Sequence, residues 1–162
     1  MEVSESHQQT ELTRATSMLM RISAKTEYAC IAVLELAAQY GTGQPVRIRK
    51  IADRHDVPPR FLVQILLQLK GAGLVASTRG AAGGYHLARP PEQVSLGEVM
   101  EVIEGGDGEA WRPNASADSP AVKVLVETWE EIRSKEREWL RQITFADLLE
   151  RARSQDQQMY YI

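Results

Sequence analysis

A chain of 162 residues, 43% apolar and 25% charged, is sized for one compact domain with accessory elements and is neither disordered nor fibrous in composition. No apolar run approaches the roughly 18 residues that span a bilayer, and residues 1–19 carry no signal-peptide pattern, so a cytoplasmic protein without a membrane partner is expected. A lone cysteine, Cys30, excludes an intrachain disulfide and a cysteine-only metal site. The net charge of −3 divides into −2 over residues 1–19, +6 over 20–90 and −7 over 91–162, so the middle of the chain is a basic module, open to a polyanion or simply solvated.

Residues 1–19 are rich in Glu, Ser, Gln and Thr and read as a mobile tail. Ser23 can cap a first helix whose apolar residues Tyr28, Ile31, Val33, Leu34, Leu36 and Ala37 are dense enough to bury it on more than one side; it should end near residues 41–45. Val46, Arg47 and Ile48 read as a very short strand or lead-in. A helix through Ile51 and Ala52 should then stop around Asp56, Val57 and Pro58, because proline disfavours helical geometry in the residue before it. Pro58 and Pro59 suit the first turn of a third helix, over residues 59–71. Its apolar face is Phe61, Leu62, Ile65, Leu66 and Leu69, and Gly71 and Gly73 close it. Residues 74–78, 79–84 and 85–87 follow as strand, glycine-rich loop and strand, a hairpin that makes a wing.

Ser95 and Glu98 form a capping box for the next helix. Ser119 and Pro120 open a long one, on which Val122, Leu125, Val126, Trp129, Ile132, Trp139, Leu140 and Ile143 trace one apolar stripe. At over 20 residues this helix reaches about 35 Å, more than a small winged domain needs. The stripe therefore suits pairing with a second copy, although it could also fold back on its own domain. Thr144 with Asp147 starts a short last helix containing Leu148 and Leu149, and a frayed end is expected from Arg151.

The pair of helices before the wing points to duplex DNA. The second helix of such a pair lays its N-terminal residues against base edges. Arg60 and Gln64, four residues apart, share one face and match guanine and adenine, with a phosphate contact equally suited to Arg60. Arg47, Arg49 and Lys50 suit phosphates. Arg79 stands at the base of a side-chain-poor loop with Gly80, Gly83 and Gly84, a shape that can enter a minor groove. Taken singly, each cation reads as a solvated charge and each glycine as a turn residue; together they make an interface. A phosphate-cradling P-loop needs Lys-Ser or Lys-Thr after its last glycine, where Tyr85 and His86 stand, and no nucleophile elbow, zinc-protease helix or dinucleotide fingerprint occurs. No enzyme and no cofactor are expected. His55 and His86 lack partners at metal-ligand spacing, and Cys30 reads as a small packed hydrophobe.

Residues 20–105 resemble the winged helix-turn-helix regulator family that includes IscR, NsrR and CymR. The resemblance rests on Met20-Arg21-Ile22-Ser23 with Lys25, Tyr28 and Ala29, on Ile51-Ala52 leading to Pro59-Arg60-Phe61-Leu62-Val63-Gln64, and on Gly73-Leu74-Val75 running into Arg79-Gly80-Ala81-Ala82-Gly83-Gly84-Tyr85-His86-Leu87-Ala88. It implies a homodimeric repressor or activator bound to double-stranded DNA. Cluster-bearing members carry three cysteines in the stretch that here spans residues 105–119. All three are absent, and Asp107, Glu109 and Asp118 are hard donors that replace thiolates poorly. Sensing by a conventional iron-sulfur cluster is therefore not expected, even though Glu27 stands where nitric-oxide-sensing members use an acidic ligand. A small-molecule effector, a protein effector and constitutive binding relieved by abundance stay open. Val63 stands where relatives often carry glutamate, so base preference should differ.

The expected architecture is mainly α with a small β-hairpin: a tail (1–19), a winged helix-turn-helix domain (20–90), a connecting helix and loop (91–119), and a dimerisation helix with a short C-terminal helix (120–162). A winged module that docks a protein rather than DNA is the alternative, since the fold alone does not dictate the partner.

Overall fold

The computed structural model describes residues 22–105 and 113–159. The expected tail, Met20, Arg21, Asp107, Glu109, Trp111, Arg112 and the last three residues lie outside them. Helix α1 (Ala24–Ala38) starts where Ser23, in extended conformation, accepts the Thr26 N–H on its Oγ at 3.1 Å. It is the central helix. Ala29, Ala32, Val33, Leu36 and Ala37 are buried, and Tyr28, Ile31 and Leu34 pack on the core from its flanks.

Helices α2 (Ile48–His55) and α3 (Pro59–Gly71) follow. Asp56 makes the turn between them at φ 54°, a left-handed conformation that Asp tolerates. Buried Val57 returns its N–H to the Ala52 carbonyl at 3.1 Å and anchors the turn in the core. Pro58 is extended and Pro59 is in the first turn of α3, as prolines at a helix start should be. Leu62, Ile65, Leu66 and Leu69 form the buried face.

Strands β1 (Val75–Thr78) and β2 (Gly84–Leu87) pair antiparallel from Val75↔Leu87 to Thr78↔Gly84. The first of these pairs points into the core, while His86 points out. Val46 exchanges both backbone hydrogen bonds with Tyr85, at 2.7 and 2.8 Å, so the expected lead-in strand is one residue long and β2 lies in the middle. A side chain at Gly84 would begin 2.6 Å from the Val46 carbonyl oxygen, so glycine permits that approach.

A 3-10 turn (Pro91–Gln93) leads to α4 (Leu96–Glu104). The expected capping box forms only by half: Ser95 Oγ accepts the Glu98 N–H at 3.1 Å, but the Glu98 carboxylate pairs with Arg89. Helix α5 (Pro120–Gln142) starts on Pro120 without a side-chain bond from Ser119, which corrects the expected cap. Its C-terminal end rests on α4 at Gly97, where a Cβ would lie 3.0 Å from the Arg141 nitrogen, and Arg141 pairs with Glu101 at 2.7 Å.

Helix α6 (Phe145–Met159) opens on a complete capping box, with Thr144 Oγ1 accepting the Asp147 N–H and Asp147 Oδ2 accepting the Thr144 N–H, each at 3.1 Å. Phe145 is fully buried in the same core as α1 and α3, and its N–H donates to the Val94 carbonyl at 2.9 Å. The expected short helix and fray from Arg151 are corrected: α6 continues to Met159, exposed on every side from Glu150. That stretch has no apolar face to betray a helix, but it contains neither Gly nor Pro and is rich in Arg and Gln, which favour one.

Candidate nucleic-acid interface

Side chains of an α-helix advance by about 100° per residue. Arg60 and Gln64 therefore lie opposite the buried Leu62, Ile65, Leu66 and Leu69, and both are exposed. The Arg60 guanidinium carbon sits 4.9 Å over the Phe61 ring, and Phe61 meets Tyr28 of α1 with ring centroids 5.9 Å apart. The helix start thus carries a cation braced on an aromatic pair.

Arg79 follows the last residue of β1 and is exposed. Gly80, at φ +107° with open space around it, turns the chain, and its carbonyl accepts the Gly83 N–H at 3.0 Å. Gly83 is buried, and a Cβ there would lie 2.2 Å from the Thr78 carbonyl oxygen. Gly83 and Gly84 thus shape the wing by letting backbone approach backbone, while Gly80, Ala81 and Ala82 form its exposed, small tip.

Arg47, expected to suit phosphates, has a partner within the chain. Its guanidinium donates to the Ala81 carbonyl and ties the wing tip to the start of α2, beside exposed Arg49 and Lys50. Lys70 donates to Ser77 Oγ at 2.7 Å and ties the end of α3 to β1. Sequence reasoning missed both ties, because their partners lie in other elements. It also missed Glu35, a largely buried carboxylate of α1 that takes His55 Nε2 at 2.8 Å and Arg54 at 3.4 Å and so fixes the end of α2. Arg54 is neutralised there, whereas among the described residues no carboxylate pairs with Arg49, Lys50, Arg60 or Arg79. These four cations are available to an anionic partner.

On α5 the apolar stripe is only partly covered among the described residues. Leu125, Ile132 and Trp139 are 47%, 40% and 71% exposed, and Val122, Val126, Trp129 and Leu140 are half-buried.

The donor set does not suit an iron-sulfur cluster. Cys30 is the chain's one cysteine. It is half-buried in α1, and burial, with a smaller contribution from the Glu104 carboxylate, pushes its thiol up to about 11, away from the thiolate a cluster needs. Among the described residues no group of three His, Cys, Asp or Glu could hold a metal ion. Glu27 is exposed in the first turn of α1. No helix of the described residues is long and apolar enough to cross a membrane.

Residues 22–151 match the model of a family described as Rrf2, iron-dependent transcriptional regulator. The HTH-type transcriptional regulator CymR of Bacillus subtilis is 33% identical over 144 residues, which span 88% of this chain and 100% of CymR. Among solved structures, CymR, the global cysteine regulator of B. subtilis, superposes with a TM-score of 0.69 at 33% identity over 81% of this chain and 97% of its own. T. potens IscR superposes with a TM-score of 0.67 at 35% identity over 82% and 88%. With its paired helices, wing and single cysteine, this chain belongs to the Rrf2 family of DNA-binding, helix-turn-helix transcriptional regulators.

Proposed function

We propose that the chain binds a pseudo-palindromic operator as a homodimer in the bacterial cytoplasm, with α3 in the major groove, the wing at the minor groove and α5 paired with α5 of a second copy. The exposed Arg60 and Gln64 on α3, a helix that packs on β1 of the wing, together with exposed Arg79 at the wing's base, are the observation that carries this reading. Arg49 and Lys50 neutralise phosphates, Gly80 keeps the exposed wing tip small enough to come close to the duplex, and Gly83 and Gly84 hold the hairpin that presents it. Exposed Leu125, Ile132 and Trp139, flanked by half-buried Val122, Val126, Trp129 and Leu140, supply the dimer contact. Control works without a conventional iron-sulfur cluster, through a small-molecule or protein effector.

Gel-shift titration of duplexes selected from random sequence tests the DNA reading. A preferred sequence should emerge. Arg79→Ala should weaken binding at every salt concentration and lower the salt slope by about one, and Arg60→Ala should cost about 1 to 3 kcal/mol and relax preference at one position. If no duplex is preferred over bulk competitor while a protein co-purifies stoichiometrically, the wing is a protein-docking module instead.

A further inference from the structure

On the outer face of α3, Val63 and Leu67 are 42% and 56% exposed. They take no part in the core, which lies on the opposite face at Leu62, Ile65, Leu66 and Leu69. Phe61, the other exposed apolar residue of this helix, already has contacts in Tyr28 and Arg60. Val63 and Leu67 lie four residues apart and line one edge of the exposed face that also carries Arg60 and Gln64.

A hydrocarbon side chain cannot donate to or accept from the polar atoms that guanine, adenine and cytosine present in the major groove. Thymine alone offers a methyl group there. Four residues of helix rise about 6 Å, close to the roughly 7 Å of two base steps, so an α3 lying along the groove brings the two side chains to thymines about two steps apart. We propose that Val63 and Leu67 form a thymine-methyl-reading edge of α3, complementary to the purine-reading pair Arg60 and Gln64. This rests on the DNA-binding reading above and adds to it the chemistry of bases that Arg60 and Gln64 do not read.

The test uses the full chain and the duplex it selects from random sequence, remade with deoxyuridine, which lacks the methyl, at each thymine in turn. Uracil at one or two positions per half-site should weaken the wild-type protein about fourfold each, the worth of one buried methyl. Val63→Ala and Leu67→Ala should weaken binding to the thymine duplex by a similar factor. Each variant should also lose its sensitivity to uracil at one of those positions. Both sites are exposed, and an unchanged thermal melt verifies that the variants fold. Equal wild-type affinity for every uracil duplex, or variants that keep the full uracil response, would overturn the methyl reading alone, provided Arg79→Ala still weakens binding. Failure to select any preferred duplex would overturn this proposal and the DNA-binding reading together.

Discussion

Helices α1 and α5 are both rich in apolar side chains, yet they have opposite fates. The first is enclosed by α2, α3, α4, α6 and the hairpin, and buries residues along its whole length from Thr26 to Ala37. The second buries none of its 23 residues and leaves Trp139 71% exposed. In α1 the apolar residues are spread around the helix, as a helix surrounded by its own chain requires, whereas in α5 most lie along one side, a stripe that half-buried Arg133 and Glu136 share. Leu125, Ile132 and Trp139, exposed among the described residues, are the surface that the proposed second copy would bury.

The sharpest way to break this contrast is to truncate one residue from each region. Leu66→Ala, which opens a cavity in the core against α1, should lower the unfolding free energy by about 2 to 5 kcal/mol in urea titrations. Trp139→Ala should leave the melt of dilute monomer almost unchanged and act on self-association. Equal losses of monomer stability would make α5 part of the core. Next, Ile132→Asp places a charge in the stripe, and its burial in a paired α5 costs several kcal/mol. Sedimentation equilibrium should show the dimer dissociation constant rising by roughly a hundredfold with the monomer fold intact, and an unchanged constant would move the dimer contact elsewhere.

Gly83→Ala addresses the wing. The added methyl would lie 2.2 Å from the Thr78 carbonyl oxygen, so a loss of about 1 to 3 kcal/mol and weaker DNA binding are expected, with self-association untouched. The smallest effect concerns α6. Hydrogen bonds from Thr144, its backbone first and its hydroxyl second, outweigh slight desolvation and hold the Asp147 carboxyl below its usual range, with further help from Arg151. A lowered folded-state value stabilises the folded form above the ordinary carboxylate value of about 3.9. That contribution fades as pH falls through the folded value, so Asp147→Asn should flatten the acid limb of the stability profile slightly. An unaltered limb would mean that the box is not formed in solution.

What was legible in the sequence is what local chemistry dictates. Prolines 58 and 59 and Gly71 and Gly73 bracketed α3, the Gly83-Gly84 pair marked the hairpin, and Thr144 with Asp147 announced α6. What was not legible depends on partners far along the chain. Arg47 meets Ala81 across 34 positions and His55 meets Glu35 across 20, and neither pair has a local signature. The same competition undid half of the Ser95 capping box, because Arg89 drew the Glu98 carboxylate away from the backbone. At the candidate interface Arg60, Gln64 and Arg79 are singled out by motif spacing and found exposed, whereas the exposure of Val63 and Leu67 emerges only with the direction of the core.

Hydroxyl-radical footprinting of the selected duplex tests most directly whether two winged domains act together through α5. A homodimer should protect two symmetric half-sites whose centres are separated by a multiple of about 10.5 base pairs, and Ile132→Asp should abolish the paired pattern at concentrations where the wild type gives it. A single unsymmetrical block of protection, or a paired footprint that persists in the monomeric variant, would contradict it.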